Sequence, residues 1–442
     1  MTRRRRLALV LACLLVVMTG CANHNTAQES GAEIESDTKA NTNANTNANT
    51  NAEKKTGKDK ENNGESSEKI EENAPTANTS GSNSGSPVTI KIANYAVLEK
   101  GYEEFWQNVK EGYEAKYPNI TVEWVTAPYG EILNQVINMA GGGDKVDCVF
   151  GEDIWIPSLV EAGLAAPMDQ VLDSDFLNDY YPNALAAHSM DGTVYAAPLY
   201  LTPPVLFYNK ELFKEAGLDP DTPPTTWEEM LEDHKKLVKK DDSGTVVQTG
   251  FAMPSSGTSM QHYMSIFIEE NGVKNLVDED NNEILCNTAK AVEAVEFMKE
   301  VADVGVIPFD CSNSEQDPFG MGTAAMGIVT DQTFKQLNEG ALKGKIALAN
   351  PLKNTQQATF CGMSFMFMSG ETQHKDEVWK FIEYVSSAES MWTRYEDLGT
   401  TPIRESLKEK FIEQDPETNQ VIYDSINCGT GSPKVPYANS VY

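Results

Sequence analysis

The sequence predicts an α/β fold in which mostly parallel strands alternate with helices, in a body large enough for two domains. Three observations support this prediction. Strand-like and helix-like patterns follow one another along the chain. All Trp, Tyr and Phe residues lie beyond Ser86. The 356 residues of Pro87–Tyr442 are enough to bury two sizeable cores.

The first part of this body has the spacing of βαβ units. Alternating apolar residues predict strands over 88–92, 120–125 and 146–150. Amphipathic patterns predict helices over 102–116 and 131–139, which end before a proline and before three glycines. Ligands on such sheets bind beyond the carboxyl ends of the strands. We therefore expect Tyr95, Tyr129 and residues 151–155 to face a site.

The second part of the body begins with an apolar run over 199–208 that prolines interrupt. The segment 226–229, Thr-Trp-Glu-Glu, is a capping box that opens a helix to about Lys239. Asn287-Thr288 starts another helix. The buried face of that helix is expected to consist of Val292, Val295, Phe297 and Val301.

Several segments of the body, taken in order, resemble one known family. Residues 206–217 read Leu-Phe-Tyr-Asn-Lys-Glu-Leu-Phe-Lys-Glu-Ala-Gly, and Pro-Thr-Thr-Trp-Glu-Glu follows at 224–229. Gly-Thr-Ala-Ala-Met-Gly-Ile at 322–328 and Leu-Gly-Thr-Thr-Pro-Ile-Arg at 398–404 come later. Together they resemble the family 1 extracellular solute-binding proteins, the sugar-type, maltose-binding-protein-like receptors of ABC importers.

The resemblance implies a two-lobed periplasmic-binding-protein-like fold with a hinge and an interlobe cleft for the solute. It places the hinge strands near 200–205 and 360–363. Lobe one would comprise residues 87–199 and 364–410, and lobe two residues 200–363 and 411–442. Family members continue past the segment that resembles 433–437 into two helices, whereas this sequence ends at Tyr442. Either those helices are absent or the sequence is truncated.

The N-terminal segment predicts a lipoprotein signal peptide over residues 1–20. Four arginines precede twelve apolar residues, too few to cross a hydrocarbon core of roughly 30 Å. Met18-Thr19-Gly20-Cys21 resembles a bacterial lipobox, which implies that Cys21 carries the lipid, palmitate included. An ordinary secretion signal is the alternative. Residues 21–86 contain no aromatic residue and repeat Asn-Thr-Asn-Ala, which predicts a disordered linker.

Charge and cysteine content exclude several function classes. Ten Lys/Arg and eleven Asp/Glu precede Pro87, so the body holds 25 and 55 and carries a net charge of −30. Such a body would repel nucleic acid and anionic membrane surfaces, and it would not attract phosphorylated substrates. Five widely spaced cysteines remain in the body and do not form a disulfide framework; pairing of Cys286 with Cys311 and isolated thiols are the two alternatives. The sequence contains no complete metal-binding motif and no nucleotide-binding motif in its required structural context, so no cofactor is expected.

We expect aromatic faces and carboxylates to hold the solute. On lobe one the candidates are at strand ends and at the hinge: Tyr95, Tyr129, Glu152, Asp153, Trp155, Tyr200 and Thr202. Glu152 and Asp153 suit the recognition of hydroxyl groups, and Trp155 could either stack on the ligand or pack within lobe one. On lobe two the candidates are Ser256, Gln261, Asp331 and Gln332, with His262 and Tyr442 as weaker choices.

Three hypotheses follow from these residues. The first is a non-enzymatic, monomeric receptor, anchored to the outer face of the bacterial cell membrane, that delivers a carbohydrate, an oligosaccharide above all, to ABC permease subunits. The second keeps the fold and replaces the carbohydrate with a cationic or peptide-like solute, which the acidic body and Asp331 favour. The third is a secreted glycosidase with Glu152 and Asp153 as its carboxylate pair, which adjacent residues disfavour.

Overall fold

A computed structural model describes residues 86–168, 174–255, 257–281, 283–309 and 317–435. The predicted signal peptide and linker lie outside these residues, as do Ser256, Cys311 and Tyr442. The expectations that rest on them therefore stay predictions. Everything described falls within one unit of the chain, Thr79–Tyr442.

Strands and helices alternate along the described body. The strands are β1 (Val88–Ala93), β2 (Ile120–Val125), β3 (Cys148–Glu152), β4 (Ser189–Met190), β5 (Thr193–Val194), β6 (Ala197–Thr202), β7 (Pro204–Asn209), β8 (Lys239–Lys240), β9 (Val246–Phe251), β10 (Val277–Asp278), β11 (Glu283–Ile284), β12 (Ala324–Thr330), β13 (Ile346–Ala349), β14 (Thr359–Phe360), β15 (Gly362–Met368) and β16 (Gly429–Thr430). The helices are α1 (Glu103–Lys116), α2 (Tyr129–Gly141), α3 (Ile156–Glu161), α4 (Ser174–Asn178), α5 (Pro182–Ala187), α6 (Lys210–Glu215), α7 (Trp227–Leu237), α8 (Gly257–Glu270), α9 (Ala289–Gly305), α10 (Asp331–Glu339), α11 (Lys375–Val385), α12 (Ala388–Leu398), α13 (Glu405–Gln414) and α14 (Pro416–Asn427). Short 3₁₀ helices occupy Ala96–Leu98 and Asp153–Trp155.

The first sheet has the strand order β2-β1-β3-β15-β6. Strands β1, β2 and β3 are parallel, as the βαβ spacing predicts, whereas β15 runs antiparallel to both β3 and β6. Apolar side chains cover this sheet, with Trp106 of α1, Phe150 and Phe367 fully buried in its core. The carboxyl ends of the three parallel strands meet at one edge.

The second sheet has the order β13-β7-β12-β9-β8. Strand β12 is parallel to β9 and antiparallel to β7. Helices α7, α8 and α9 supply a separate core in which Trp227 stacks on Phe297, with ring centroids 4.4 Å apart. The capping box that the sequence predicts at Thr226 and Glu229 forms, and the helix it opens ends at Leu237.

The chain passes between the two sheets at two neighbouring places. Pro203 separates β6 of the first sheet from β7 of the second. On the return from β13, the chain first forms β14, which pairs with β16, and Cys361 then separates β14 from β15 of the first sheet. The two passages touch, because Thr359 Oγ1 donates to the carbonyl of Pro204 at 2.7 Å. Both lie within the predicted hinge segments, and the assignment of whole ranges to lobes stays a prediction.

One prediction about packing is wrong. Val292 and Val295 of α9 are exposed by 45% and 43%, not buried. The buried face of α9 consists instead of Ala291, Ala294, Met298, Val301 and Gly305. These residues recur at helical spacing. The small alanines allow α9 to approach α8 closely, and the larger valines lie on the solvent side.

Candidate functional site

A cavity of about 490 Å³ lies where the carboxyl ends of β1 and β3 and the start of α2 meet the second sheet. Its wall is rich in tyrosines and carboxylates. The lining residues are Tyr95, Glu99, Tyr102, Tyr129, Glu152, Asp153, Ile154, Tyr200, Thr202, His262, Thr330, Gln332, Phe360, Gly362, Ser364 and Ser432. Both sheets and the C-terminal segment therefore contribute to one site.

An aromatic cluster forms the wall on the first-sheet side. The ring centroids of Tyr95 and Tyr129 are 5.1 Å apart with an angle of 75° between the rings. Trp155 lies within 6 Å of both ring centroids but is only 2% exposed. Tyr129 is 48% exposed at the first position of α2. Tyr129 is therefore the ring of this cluster that a ligand can reach, and the buried Trp155 packs against it.

Glu152 is the acceptor at the base of this wall. Tyr95 Oη donates to Glu152 Oε1, and Ser364 Oγ donates to the same oxygen at 3.2 Å. Burial raises the pKa of Glu152 to about 7, although the two hydrogen bonds oppose the shift. The carboxyl is therefore held in a fixed position with its second oxygen left for a ligand.

Asp153, the next residue, is already occupied. The backbone N–H and hydroxyl of Ser432 donate to its two oxygens at 2.5 and 3.1 Å. Lys434 Nζ forms an ion pair with Asp153 Oδ2 at 3.2 Å, and both side chains are almost fully buried. Asp153 therefore ties the C-terminal segment to the cavity rim.

The rest of the wall comes from strand β6 of the first sheet and from parts of the second sheet. The guanidinium of Arg394 lies 3.8 Å from the ring centroid of Tyr200, on a side chain that does not line the cavity. His262 stacks on Phe360, with centroids 4.7 Å apart. Tyr102, the residue before α1, donates from Oη to Gln332 Oε1 of α10 at 2.8 Å, so two lining residues from different parts of the chain are in contact.

The structure brings together most of the residues expected at the site. The predicted residues that line the cavity are Tyr95, Tyr129, Glu152, Asp153, Tyr200, Thr202 and Gln332, together with His262. Trp155 packs beneath the wall, and Gln261 does not line the cavity. Ser256 and Tyr442 lie outside the described residues. That the lining residues bind a solute stays a prediction.

Asp331 is placed differently from the prediction. Its side chain is 3% exposed and accepts from the backbone N–H of Thr401 at 3.1 Å and from the Thr401 hydroxyl. Burial raises its pKa to about 7. The reason is a contact between distant parts of the chain. Asp331 starts α10 and meets the loop at Thr401, so its carboxyl joins these two parts and does not line the cavity.

Several lining residues were not predicted. Glu99 and Tyr102 follow β1 by only a few residues, and the rule that strand ends face the ligand could have found them. Phe360 and Ser364 come from the second passage between the sheets. Ser364 is 212 positions from Glu152. Their role depends on strand pairing, which local patterns do not reveal.

Comparison with known proteins identifies the family. The model of the bacterial extracellular solute-binding proteins matches residues 95–392. The chain belongs to this family. The matched residues include almost all of the cavity wall except its C-terminal part at Ser432.

Individual relatives share the fold at low identity. A maltotriose-binding protein of Pyrococcus abyssi is 23% identical over 80% of this chain and 75% of its own length. The Escherichia coli sn-glycerol-3-phosphate-binding periplasmic protein UgpB is 23% identical over 64% of each chain. The GacH receptor of Streptomyces glaucescens, solved both unliganded and in complex with acarbose, superposes with a TM-score of 0.67 at 23% identity, covering 80% of this chain and 90% of its own. Family members named for ligands as different as a neutral sugar and a phosphate ester thus resemble this chain to a similar degree.

Two further findings concern the described residues. No cluster of His, Cys, Asp or Glu among them could hold a metal ion. None of their helices has the length and apolar character needed to cross a membrane.

Proposed function

We propose that this protein is a solute receptor that binds a carbohydrate, an oligosaccharide above all, in the cavity between its two sheets and delivers it to an ABC importer. The observation that carries the proposal is the pairing of an exposed tyrosine face with an oriented carboxyl. Tyr129 and Glu152 lie on the same wall of a cavity of about 490 Å³. Sugar rings present C–H faces that pack on aromatic rings and hydroxyls that bond to carboxylates.

The way the two sheets are joined supports a receptor that closes on its ligand. One described connection is the single residue Pro203 between β6 and β7. A second runs from β13 through β14 to β15, and its end lies beside the first, because Thr359 Oγ1 donates to the carbonyl of Pro204 at 2.7 Å. Rotation about such passages is the hinge motion found in binding proteins of this shape. A solute that touches Glu152 on one side and Gln332 on the other stabilises the closed form because it contacts both walls only there.

Titration calorimetry against maltose-, cellobiose- and mannobiose-series oligosaccharides and glucosamine oligosaccharides tests the proposal. We expect at least one series to bind. The variants Tyr129→Ala and Glu152→Gln weaken that binding, whereas the controls Tyr117→Ala and Glu131→Gln, which change residues outside the cavity, leave it unchanged. A flat titration with every series would overturn the carbohydrate assignment.

The proposal includes a lipid anchor at Cys21 and a receptor that binds its solute without catalysing a reaction. Lipid on Cys21 would hold the receptor at the outer face of the cell membrane, and the linker over 21–86 would let the body reach the permease. In cell fractionation we expect the wild type in the membrane fraction and Cys21→Ala in the soluble fraction. The receptor acts as a monomer without turnover, and steady release of a chromogenic glycoside's leaving group would contradict this.

A further inference from the structure

The cavity wall is strongly unbalanced in charge. Glu99, Glu152 and Asp153 line it, and none of its described lining residues is Lys or Arg. The body segments outside the described residues do not change this balance. According to the sequence, 169–173, 256, 282, 310–316 and 436–442 contain no Lys or Arg. A basic side chain that pairs with the wall is therefore a described one, and any other cation comes from the solution or from the solute.

Three described basic side chains lie in the cavity wall or contact its residues, and none of them forms an ion pair with Glu99 or Glu152. Lys434 pairs with Asp153. Arg394 is 3% exposed, and its guanidinium lies among the rings of Tyr200, Phe105 and Trp106 without lining the cavity. Burial lowers the pKa of His262, which keeps this imidazole neutral at neutral pH. After these pairings, two carboxyl groups on the wall stay without a positive partner.

Those two groups are Glu152 and Glu99. Among the described residues, the Glu152 side chain accepts two hydrogen bonds, and both go to Oε1. Within the described residues, Oε2 has no donor. The Glu99 carboxyl forms no hydrogen bond or ion pair there either, and it is half-buried beside Tyr102. A partly buried carboxylate without a positive partner is costly to keep charged, and the binding of a cation lowers that cost.

We propose that the preferred solute of this receptor is an amine-bearing saccharide whose ammonium group binds between Glu99 and Glu152. This inference rests on the proposed carbohydrate function and narrows it to a substrate class. The rings of Tyr95 and Tyr129, which line the same cavity, suit an ammonium group because aromatic π faces attract cations. The same wall repels carboxylates and phosphate esters and so excludes acidic sugars and sugar phosphates.

Four monosaccharides with the glucose ring test the preference for a positive charge. Because each is a single sugar, the result does not depend on the glycosidic linkage. Glucosamine, glucose, N-acetylglucosamine and glucuronate are titrated against the full chain by ligand-observed NMR. Glucosamine is expected to bind about tenfold more tightly than glucose, the value of one charge-assisted hydrogen bond. Glucuronate is expected to give no binding. Glucosamine binding no better than glucose, or glucuronate binding at all, overturns the inference.

Matched variants identify the groups responsible. Glu99→Gln and Glu152→Gln each reduce the advantage of glucosamine over glucose, and the pair together abolishes it. Glu131→Gln, on an exposed position of α2, is the control and keeps the advantage. Retention of the full advantage in Glu99→Gln/Glu152→Gln overturns the inference. Failure of the inference is distinguishable from failure of the proposed function, because neutral oligosaccharides would still bind in the first case and no saccharide would bind in the second.

Discussion

Ser364 lies directly opposite Glu152 in the antiparallel pair of β15 and β3, and its hydroxyl donates to Glu152 Oε1 at 3.2 Å. Glu152 is the last residue of β3, the third of the parallel strands. Ser364 lies in β15, which the chain forms only after it has formed the second sheet. This register fixes the orientation of the carboxyl at the base of the cavity. The site is therefore built on paired strands, which hold it more firmly than loops would.

Removal of the Ser364 hydroxyl tests this arrangement. Ser364→Ala takes one donor from a buried carboxylate, which is worth about 0.5 to 1.5 kcal/mol. We expect solute affinity to fall by about three- to tenfold, measured by calorimetry. Ser390→Ala on α12, outside the cavity, is the control. Equal affinity of Ser364→Ala and the wild type would contradict the role of this hydroxyl.

A buried and an exposed carboxylate give a matched pair of tryptophan variants. Trp227 Nε1 donates to Glu270 Oε2 at 2.5 Å, and the Glu270 side chain is buried. Trp392 Nε1 donates to Glu396 Oε1 at 2.6 Å, and Glu396 is exposed. Each Trp→Phe change removes the same donor and a similar ring area.

The two variants are expected to differ in stability because only one of them leaves a buried acceptor without a partner. Trp227→Phe should lower the free energy of unfolding by about 1 to 3 kcal/mol more than Trp392→Phe. Denaturant titration measures the difference. Equal losses in the two variants would show that water or another donor replaces the indole at Glu270.

The pH dependence of stability should reveal Glu269. Burial raises its pKa to about 7 from an ordinary value of 4.5, against a hydrogen bond that Thr430 donates to it. A raised carboxyl pKa means that the folded state favours the protonated form. The resulting stabilisation is complete below the ordinary pKa and is lost as the pH rises through about 7.

We therefore expect the melting temperature to fall between about pH 5 and about pH 8 and Glu269→Gln to flatten this slope. Glu152 and Asp331, whose pKa values burial also raises to about 7, contribute slopes of the same sign and keep the variant from becoming pH-independent. Glu123→Gln changes an exposed carboxyl on β2 and controls for the loss of one charge. An unaltered slope in Glu269→Gln would contradict the assignment.

The ion pair at the C-terminal segment provides a further test of stability. Lys434→Met leaves Asp153 buried with only the two donors of Ser432, and we expect a loss of about 2 to 4 kcal/mol in the free energy of unfolding. Lys145→Met breaks an ion pair with Glu371 in which both side chains are more than one-third exposed. Its expected cost is about 0 to 1 kcal/mol. Similar costs in chemical denaturation would show that the Lys434 pair is not effectively buried.

Local patterns in the sequence were sufficient to predict the three parallel strands of the first sheet and the edge of that sheet at which the site lies. The three parallel strands appear within two residues of the predicted bounds. Tyr95, Tyr129 and Glu152 line the cavity because each lies at or just beyond a parallel strand, and that position is visible in the sequence.

Features that depend on distant packing could not be predicted in this way. Asp331 is buried because the loop at Thr401 approaches the start of α10. The exposed face of α9 is set by where α8 packs, so the hydrophobicity of Val292 misled the prediction. Ser364 enters the site through strand pairing across a long stretch of chain. In each case the deciding contact joins residues far apart in sequence.

A crystal structure of the full body with the saccharide that calorimetry selects tests the central claim most directly. The account predicts a sugar ring against the face of Tyr129, with a polar group of the sugar bonded to Glu152 Oε2. A saccharide bound elsewhere on the protein, with the cavity between the sheets lacking it, would contradict the account.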